Sequence, residues 1–184
     1  MNFTEIVTAG FMIFTPAMIE APEDKSVSVK CLALNMYHEA RGQGSAGLLG
    51  VSSVVMNRVK DKRFPNTICE VVHQGPTRES WKTRQTPDPN DAKFYPIRNR
   101  CQFSWWCDGK SDEPRDKKTY KRLLTIAQSI VYNEINFIDI TDGATHYHAD
   151  YVKPAWAKVK TRTTRIGNHI FYRWEKHQKG GPVD

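Results

Sequence analysis

Hydrophobic residues recur at the spacing of a helix soon after the start of the chain. Residues 27–40 are predicted to form a helix, because side chains that can share one buried face lie three or four residues apart: Val27, Cys31, Leu34 and His38. Ser26 precedes this stretch and is the predicted N-cap. Gly42 and Gly44 follow it, and glycine commonly ends helices. The first helix should therefore run into a tight turn.

Two more helices are predicted directly downstream. One is capped by Ser45 and ends near Lys62, and its apolar stripe consists of Leu48, Leu49, Val51, Val55, Met56 and Val59. The other is short, covers residues 68–72, and takes Asn66 or Thr67 as its cap. The first part of the chain is thus predicted to be helical.

A fourth helix, over about residues 116–134, has the clearest period, carried by Tyr120, Leu123, Leu124, Ala127, Ile130 and Val131. Between the third and fourth helices, residues 75–114 are polar, irregular and rich in proline. A segment of this length is either disordered or a functional flap. Its aromatic residues favour an ordered flap, and they are Trp81, Phe94, Tyr95, Phe103, Trp105 and Trp106.

The last part of the chain has the pattern of strands. Residues 144–148 alternate, and residues 163–166 and 169–172 could pair as a hairpin across Gly167 and Asn168. We therefore expect a mainly helical α+β domain with a small β element.

Composition and charge fit a globular domain with an anionic partner. The 184 residues are 39% hydrophobic and 11% aromatic, which excludes collagen, coiled-coil arrays and disordered tails. A net charge of +7 favours a polyanion, and nucleic acid and the bacterial envelope both qualify. The chain has no recognisable finger, helix-turn-helix or ribonucleoprotein motif. The charge alone does not decide between the two partners.

The N-terminal region, residues 1–25, is predicted to be a leader, and residues 26–184 the functional domain. Residues 6–19 are apolar but too few to span a bilayer, so no stable membrane span is expected. A secretory signal should begin with Lys or Arg, whereas the only charged side chain before the run is Glu5. A signal, a weak anchor and a leader that packs or stays loose are all left open.

Four cysteines allow three pairings if all are oxidised. Cys31 and Cys69 lie in apolar helical patterns, which favours buried thiols. Cys101 and Cys107 bracket a short aromatic segment, where a disulfide would fit in an oxidising compartment.

Glu39 is the most suggestive acid from position alone. It lies at the C-terminal end of the first predicted helix, where the helix dipole disfavours a negative charge. Such a carboxyl can keep its proton near neutral pH, as a general acid in glycosidic cleavage must. A solvated glutamate at a helix end can have the same position, so only the surrounding sequence can distinguish it from a catalytic acid.

The surrounding sequence contains a series of distinctive motifs, namely LALNMYHEARGQGSAGLLGVSSVVMNRV, FPNTICEVVHQ, CQFSWWCDGKSDEP, GATHYHADYVKPAW and RIGNHIFYR. Their order and spacing, from about Lys30 to Arg173, resemble the SleB-type cell-wall hydrolases, which include spore-cortex-lytic enzymes and relatives in other bacteria and in phages. The resemblance implies a lysozyme-like domain that cleaves peptidoglycan, with Glu39 as catalytic acid. It also implies a lytic transglycosylase that cuts between N-acetylmuramic acid and N-acetylglucosamine. Gln43 departs from the family, where a glutamate is more frequent.

The chemistry of such an enzyme suggests substrate-binding residues. One glutamate can act as acid and then as base in a transglycosylase, whereas a hydrolase needs a second carboxylate, for which Asp108, Asp142 and Asp150 are available. The resemblance places Tyr147 opposite Glu39 in the cleft. The other predicted substrate-binding residues are Gln102, Phe103, Ser104, Trp105, His146 and His148, and the two histidines alternate so that they share one strand face.

Two other functions remain as alternatives. His146 and His148, with His38 and an acid, could bind a metal in a peptidoglycan amidase or peptidase, but the HExxH spacing is absent. A non-catalytic wall-binding or nucleic-acid-binding domain is the other. We predict bacterial peptidoglycan as the partner of a monomer, with no nucleic acid, metal or cofactor. The site of action is the cell wall, reached from the periplasm, from outside, or from a host cytoplasm if the protein is phage-encoded.

Overall fold

The computed structural model describes residues 24–85, 88–133 and 136–175. The leader predicted for residues 1–25 lies almost wholly outside them. Within these ranges no helix has both the length and the apolar character to cross a membrane. The helices are α1 (Lys25–Ala40), α2 (Gly44–Lys60), α3 (Ile68–Val72) and α4 (Lys117–Tyr132). All four predicted helices are confirmed, with ends that differ by one or two residues.

Two of the predicted caps are wrong. Asp24, two residues before Ser26, caps α1, because its carboxylate accepts a hydrogen bond from the backbone N–H of Ser26 at 2.8 Å. The N-cap of α2 is Gln43, and Ser45 lies inside the helix. Thr67 caps α3 as predicted, through its hydroxyl and the N–H of Glu70.

The main core lies where α1 packs against the other three helices. Its fully buried side chains come from every helix and include Leu32, Met36, Val51, Val55, Val71, Val72 and Ala127. Burial of this apolar surface is the main term that stabilises the helical body. Asn35 lies within the same core, and its Oδ1 accepts a hydrogen bond from the indole N–H of Trp105 at 3.0 Å.

Two antiparallel sheets complete the fold. The flap contains a hairpin of β1 (Thr77–Glu79) and β2 (Phe94–Pro96), so it is ordered as predicted, although the sequence did not indicate these strands. The second sheet has the order β3–β5–β4, with β3 (His146–Ala149) at an edge and β5 (His169–Arg173) in the centre. The predicted hairpin is confirmed as β4 (Thr161–Ile166) and β5.

The second sheet is held against α2 by close packing and hydrogen bonds. A Cβ at Gly50 would lie 2.8 Å from the ring of Phe171, so only glycine allows this approach. Asn57 donates to the backbone oxygen of Ala144, and Arg58 donates from Nε to that of Thr145, at 3.0 and 2.7 Å. These contacts fix the start of β3 relative to the helices.

Two disulfides link the described cysteines. Cys101 and Cys107 are joined, as the short aromatic segment predicted. Cys31 and Cys69 are also joined, so the expectation of buried thiols was wrong. The helical patterns placed both side chains on packed faces, and the packing of α1 on α3 brings those faces together.

Removal of the Cys31–Cys69 disulfide should destabilise the protein more than removal of the other. The chain-entropy model gives about 4 kcal/mol for a loop of this length and about 2 kcal/mol for the short loop. Paired Cys→Ala variants should therefore differ in their urea midpoints in this order. Equal midpoints for both variants and the oxidised wild type would show that neither disulfide constrains the unfolded chain.

Candidate active site

A cleft of about 840 Å³ lies between the end of α1, the segment that follows the flap hairpin, and strand β3. Its volume is in the range of specific ligand sites. All eight residues predicted from the sequence line it, namely Glu39, Gln102, Phe103, Ser104, Trp105, His146, Tyr147 and His148. Residues more than a hundred positions apart therefore meet in one cleft.

Glu39 is half-buried in the last turn of α1. Its Oε2 accepts a hydrogen bond from the Tyr147 hydroxyl at 2.8 Å. Burial raises the pKa of the Glu39 carboxyl, and the hydrogen bond from Tyr147 partly offsets this. The pKa direction is the one the sequence predicted, and burial is its largest cause.

Tyr147 connects the sheet to the acid. Burial, and next the negative charge of Glu39, raise the pKa of its hydroxyl well above the usual value. The hydroxyl therefore keeps its proton and acts as the donor. The ring is held by His169 and Phe171, whose centroids lie 4.9 and 5.6 Å away.

The segment between Cys101 and Cys107 forms one side of the cleft. Gln102 and Ser104 are exposed, so their polar groups are available to a ligand, while Phe103 and Trp105 are buried. Trp105 stacks on His38 with centroids 4.6 Å apart. Trp105 therefore serves the core as well as the cleft, and the disulfide anchors the segment that carries all four residues.

His146 and His148 share one face of β3, as predicted, since both rings contact Trp156. His148 hydrogen-bonds the Tyr172 hydroxyl at 3.0 Å. The pKa of His146 is lowered to about 3 by burial and then by the charges of Arg58, Lys160 and Arg63. His146 is therefore neutral at physiological pH.

The donor set around these histidines does not suit a metal ion. Among the residues that the structure describes, no group of three or more His, Cys, Asp or Glu side chains is placed to hold one. The positive charges beside His146 would also repel a metal cation.

Several cleft residues were not predicted, and Arg58 is the most unusual of them. It is only 4% exposed, and its guanidinium lies over the rings of Phe64 and Phe103 at 5.1 and 5.4 Å. Burial lowers the pKa of Arg58 to about 10. Arginine in a helix is usually solvated, so the sequence carried no signal for this position. The other unpredicted lining residues include Tyr37, Asp112, Glu113, Trp156 and His169.

The three aspartates considered as second carboxylates differ in their location relative to the cleft. Asp108 lines the cleft, and a backbone hydrogen bond from Lys110 keeps its pKa low. Asp142 and Asp150 form ion pairs with Arg173 and Arg165 and are not among the lining residues. The structure therefore leaves Asp108 in the cleft and removes the other two.

A helical body, a small antiparallel sheet and an acid held in the cleft between them define a mainly helical α+β domain of lysozyme-like architecture. The chain belongs to the Cell Wall Hydrolase family, whose model matches residues 42–172. Glu39 lies three residues before the start of that match.

Named relatives agree with this assignment. The chain is 25% identical over 144 residues to a spore cortex-lytic enzyme of Bacillus subtilis, covering 78% of this chain and 36% of the relative. A spore cortex-lytic enzyme of Oceanobacillus iheyensis is also 25% identical, over 159 residues that cover 85% and 45% of the two chains. The chain thus spans less than half the length of these relatives.

Solved structures share the fold. The catalytic domain of the germination-specific lytic transglycosylase SleB from Bacillus anthracis superposes with a TM-score of 0.52 and 23% identity, covering 84% of this chain and all of that one. The catalytic domain of Bacillus cereus SleB gives the same TM-score with 22% identity and covers 84% and 94%. The lysozyme-like fold predicted from the sequence is confirmed.

Tyr147→Phe should raise the pKa of Glu39 further, because the hydrogen bond that stabilises its carboxylate is lost while burial remains. The measurement is a ¹³C NMR titration of the Glu39 carboxyl in both proteins. Tyr172→Phe, which removes a hydroxyl bonded to His148 instead, is the matched control. A Glu39 pKa unchanged by Tyr147→Phe would contradict the assigned hydrogen bond.

Proposed function

We propose that this protein cleaves the glycan strands of peptidoglycan as a lytic transglycosylase, between N-acetylmuramic acid and N-acetylglucosamine. The observation that carries the proposal is the Glu39 carboxyl, half-buried in the cleft with a raised pKa. A raised pKa leaves more of the carboxyl protonated at a given pH, and the protonated form can give its proton to the oxygen of a leaving sugar. Membership of the Cell Wall Hydrolase family supports the substrate class.

Glu39 acts twice in the proposed reaction. It first donates its proton to the glycosidic oxygen as the bond from muramic C1 to that oxygen breaks. The resulting carboxylate then accepts the proton of the muramic C6 hydroxyl as O6 forms a bond to C1. The products are a 1,6-anhydro sugar and a free hydroxyl on the leaving sugar, and Glu39 regains its proton.

The neighbouring groups have supporting roles. The Tyr147 hydrogen bond orients the Glu39 carboxyl and stabilises it as a carboxylate after the first step. The exposed Gln102 and Ser104 can bond acetamido and hydroxyl groups. Trp156, half-buried in the lining, is an aromatic side chain of the kind that packs against sugar rings.

A hydrolase is the second candidate, because Asp108 and Asp112 lie in the same cleft and could activate water. The backbone hydrogen bond keeps Asp108 ionised, as a base requires. A metal-dependent amidase or peptidase built on His146 and His148 is less favoured, since cations surround His146. We also propose an oxidising site of action, which suits the two disulfides.

Glu39→Gln should lower the rate of wall lysis by about 10² to 10⁴, because the proton donor is lost and the side-chain shape is kept. Turbidity loss of purified cell walls measures this rate. Glu70→Gln, on an exposed face of α3, is the matched control and should lyse walls like the wild type. Near-normal lysis by a folded Glu39→Gln protein would reject Glu39 as the acid.

The main product should carry 1,6-anhydro-N-acetylmuramic acid with its peptide stem attached. This product is lighter than the hydrolysed one by one water, about 18 Da, which mass spectrometry of a wall digest resolves. Asp108→Asn should leave the anhydro product in the majority. Reducing-end muramic acid as the initial product, lost with Asp108→Asn, would indicate a hydrolase. Free peptides and bare glycan, formed only without EDTA, would indicate the metal-dependent amidase.

A further inference from the structure

One end of the cleft is surrounded by positive charge. The His146 ring lies against Phe64, Trp156 and Trp174, with centroids 5.4 to 6.1 Å away. Three cations pack on two of these rings. Arg58 lies over Phe64, while Lys160 and Arg63 lie 3.8 and 4.8 Å from the centroid of Trp174. We call this group, Arg58, Arg63 and Lys160 around His146, the basic end; His146 and Arg58 line the cleft, and Arg63 and Lys160 lie next to that lining.

The basic end has too few anions of its own. Arg63 pairs with Asp61, but Arg58 and Lys160 form no ion pair with any residue that the structure describes. The Nη1 of Arg58 is buried and has no hydrogen-bond partner among the described residues. Burial, and then Arg63 and Arg58, lower the pKa of Lys160. An unneutralised buried cation is costly for the fold, so a function is the expected reason for its presence.

The other charged side chains that line the cleft are mixed in sign. Asp108, Asp112 and Glu113 are acidic, but Arg41, Lys110 and Arg115 line the cleft with them, and Lys110 pairs with Asp108. Burial raises the pKa of Asp112, the charge of His38 opposes this, and the charge of Asp108 adds a smaller increase. These charges lie near others of opposite sign, whereas Arg58 and Lys160 form no ion pair with a described residue, so an anionic group of a bound ligand is attracted to the basic end.

We propose that the basic end binds a carboxylate of the peptide stem carried by the muramic acid of the substrate. This rests on the proposed function. While a stem is attached, the lactyl carboxyl of the muramic acid is an amide, so the carboxylates near the bond that is cut are those of the stem. Lys160 lies beside the cleft lining rather than in it and is only half-buried, so it can meet a carboxylate on a stem that extends out of the cleft, while Arg58 adds positive charge from the lining. The enzyme would then prefer strands that still carry charged stems.

The test uses three soluble glycan fragments of equal length, with free stem carboxylates, with amidated stems, and with the stems removed and the lactyl carboxyls converted to methyl amides. Their binding to the inactive Glu39→Gln protein is measured by calorimetry. The free-carboxylate fragment should bind tightest, and Lys160→Met should weaken its binding relative to the stem-free fragment by about fivefold, or about 1 kcal/mol. Lys121→Met, an equal charge change on the exposed face of α4, should not alter that ratio.

A second readout is local to the site. A bound carboxylate should raise the pKa of His146 in an NMR titration, because it offsets the cations that lower this pKa. Equal affinity for fragments with and without stem carboxylates would overturn the proposal. So would an equal fall, in both lysine variants, of the ratio of affinities for the free-carboxylate and stem-free fragments. Competition by inorganic phosphate but not by free stem peptide would also overturn it, in favour of a wall phosphate polymer. The binding measurements test this proposal separately from the proposed function. If the proposed function is wrong, the wild type will not cleave the glycan.

Discussion

The hydrogen bond from Tyr147 to Glu39 is the contact on which the site depends. It joins the last turn of α1 to an edge strand of the small sheet, over 108 positions of sequence. Without the sheet, Glu39 would be an exposed glutamate at a helix end with an ordinary carboxyl. Burial by the sheet and by the Cys101–Cys107 segment raises its pKa, while Tyr147 fixes its direction. The chemistry proposed for the cleft thus depends on how the sheet is placed.

Helix α2 provides that placement. Gly50 allows Phe171 to approach, and the side chains of Asn57 and Arg58 bond the backbone just before β3. The burial of Arg58 therefore has an unfavourable and a favourable effect. Its burial removes a charge from water, yet the same burial ties α2 to the sheet and leaves a positive field in the cleft. A neutral residue could fill the space but would supply no such field.

The sequence predicts features that depend on local order. Hydrophobic period defines the four helices, and the Gly167–Asn168 turn defines the hairpin, since both signals lie within a few residues. Glu39 is suggested by its position at a helix end, whereas the resemblance to a family was needed to bring the eight predicted site residues together, because periodicity does not show which distant segments meet. Features of tertiary origin were missed, notably the Cys31–Cys69 disulfide and the buried Arg58. The Asp24 cap was missed for a different reason, since Ser26 is an equally good local candidate.

The raised pKa of Glu39 also has a consequence for stability. The folded protein holds this proton more tightly than the unfolded chain, so it binds more protons in the pH range between the two pKa values. The contribution of Glu39 to stability is therefore greatest at low pH, falls as the pH rises through that range, and stays low above it. Within and above that range the site is less stabilising than it is in acid. The helical core and the two disulfides, which do not titrate, must offset that loss.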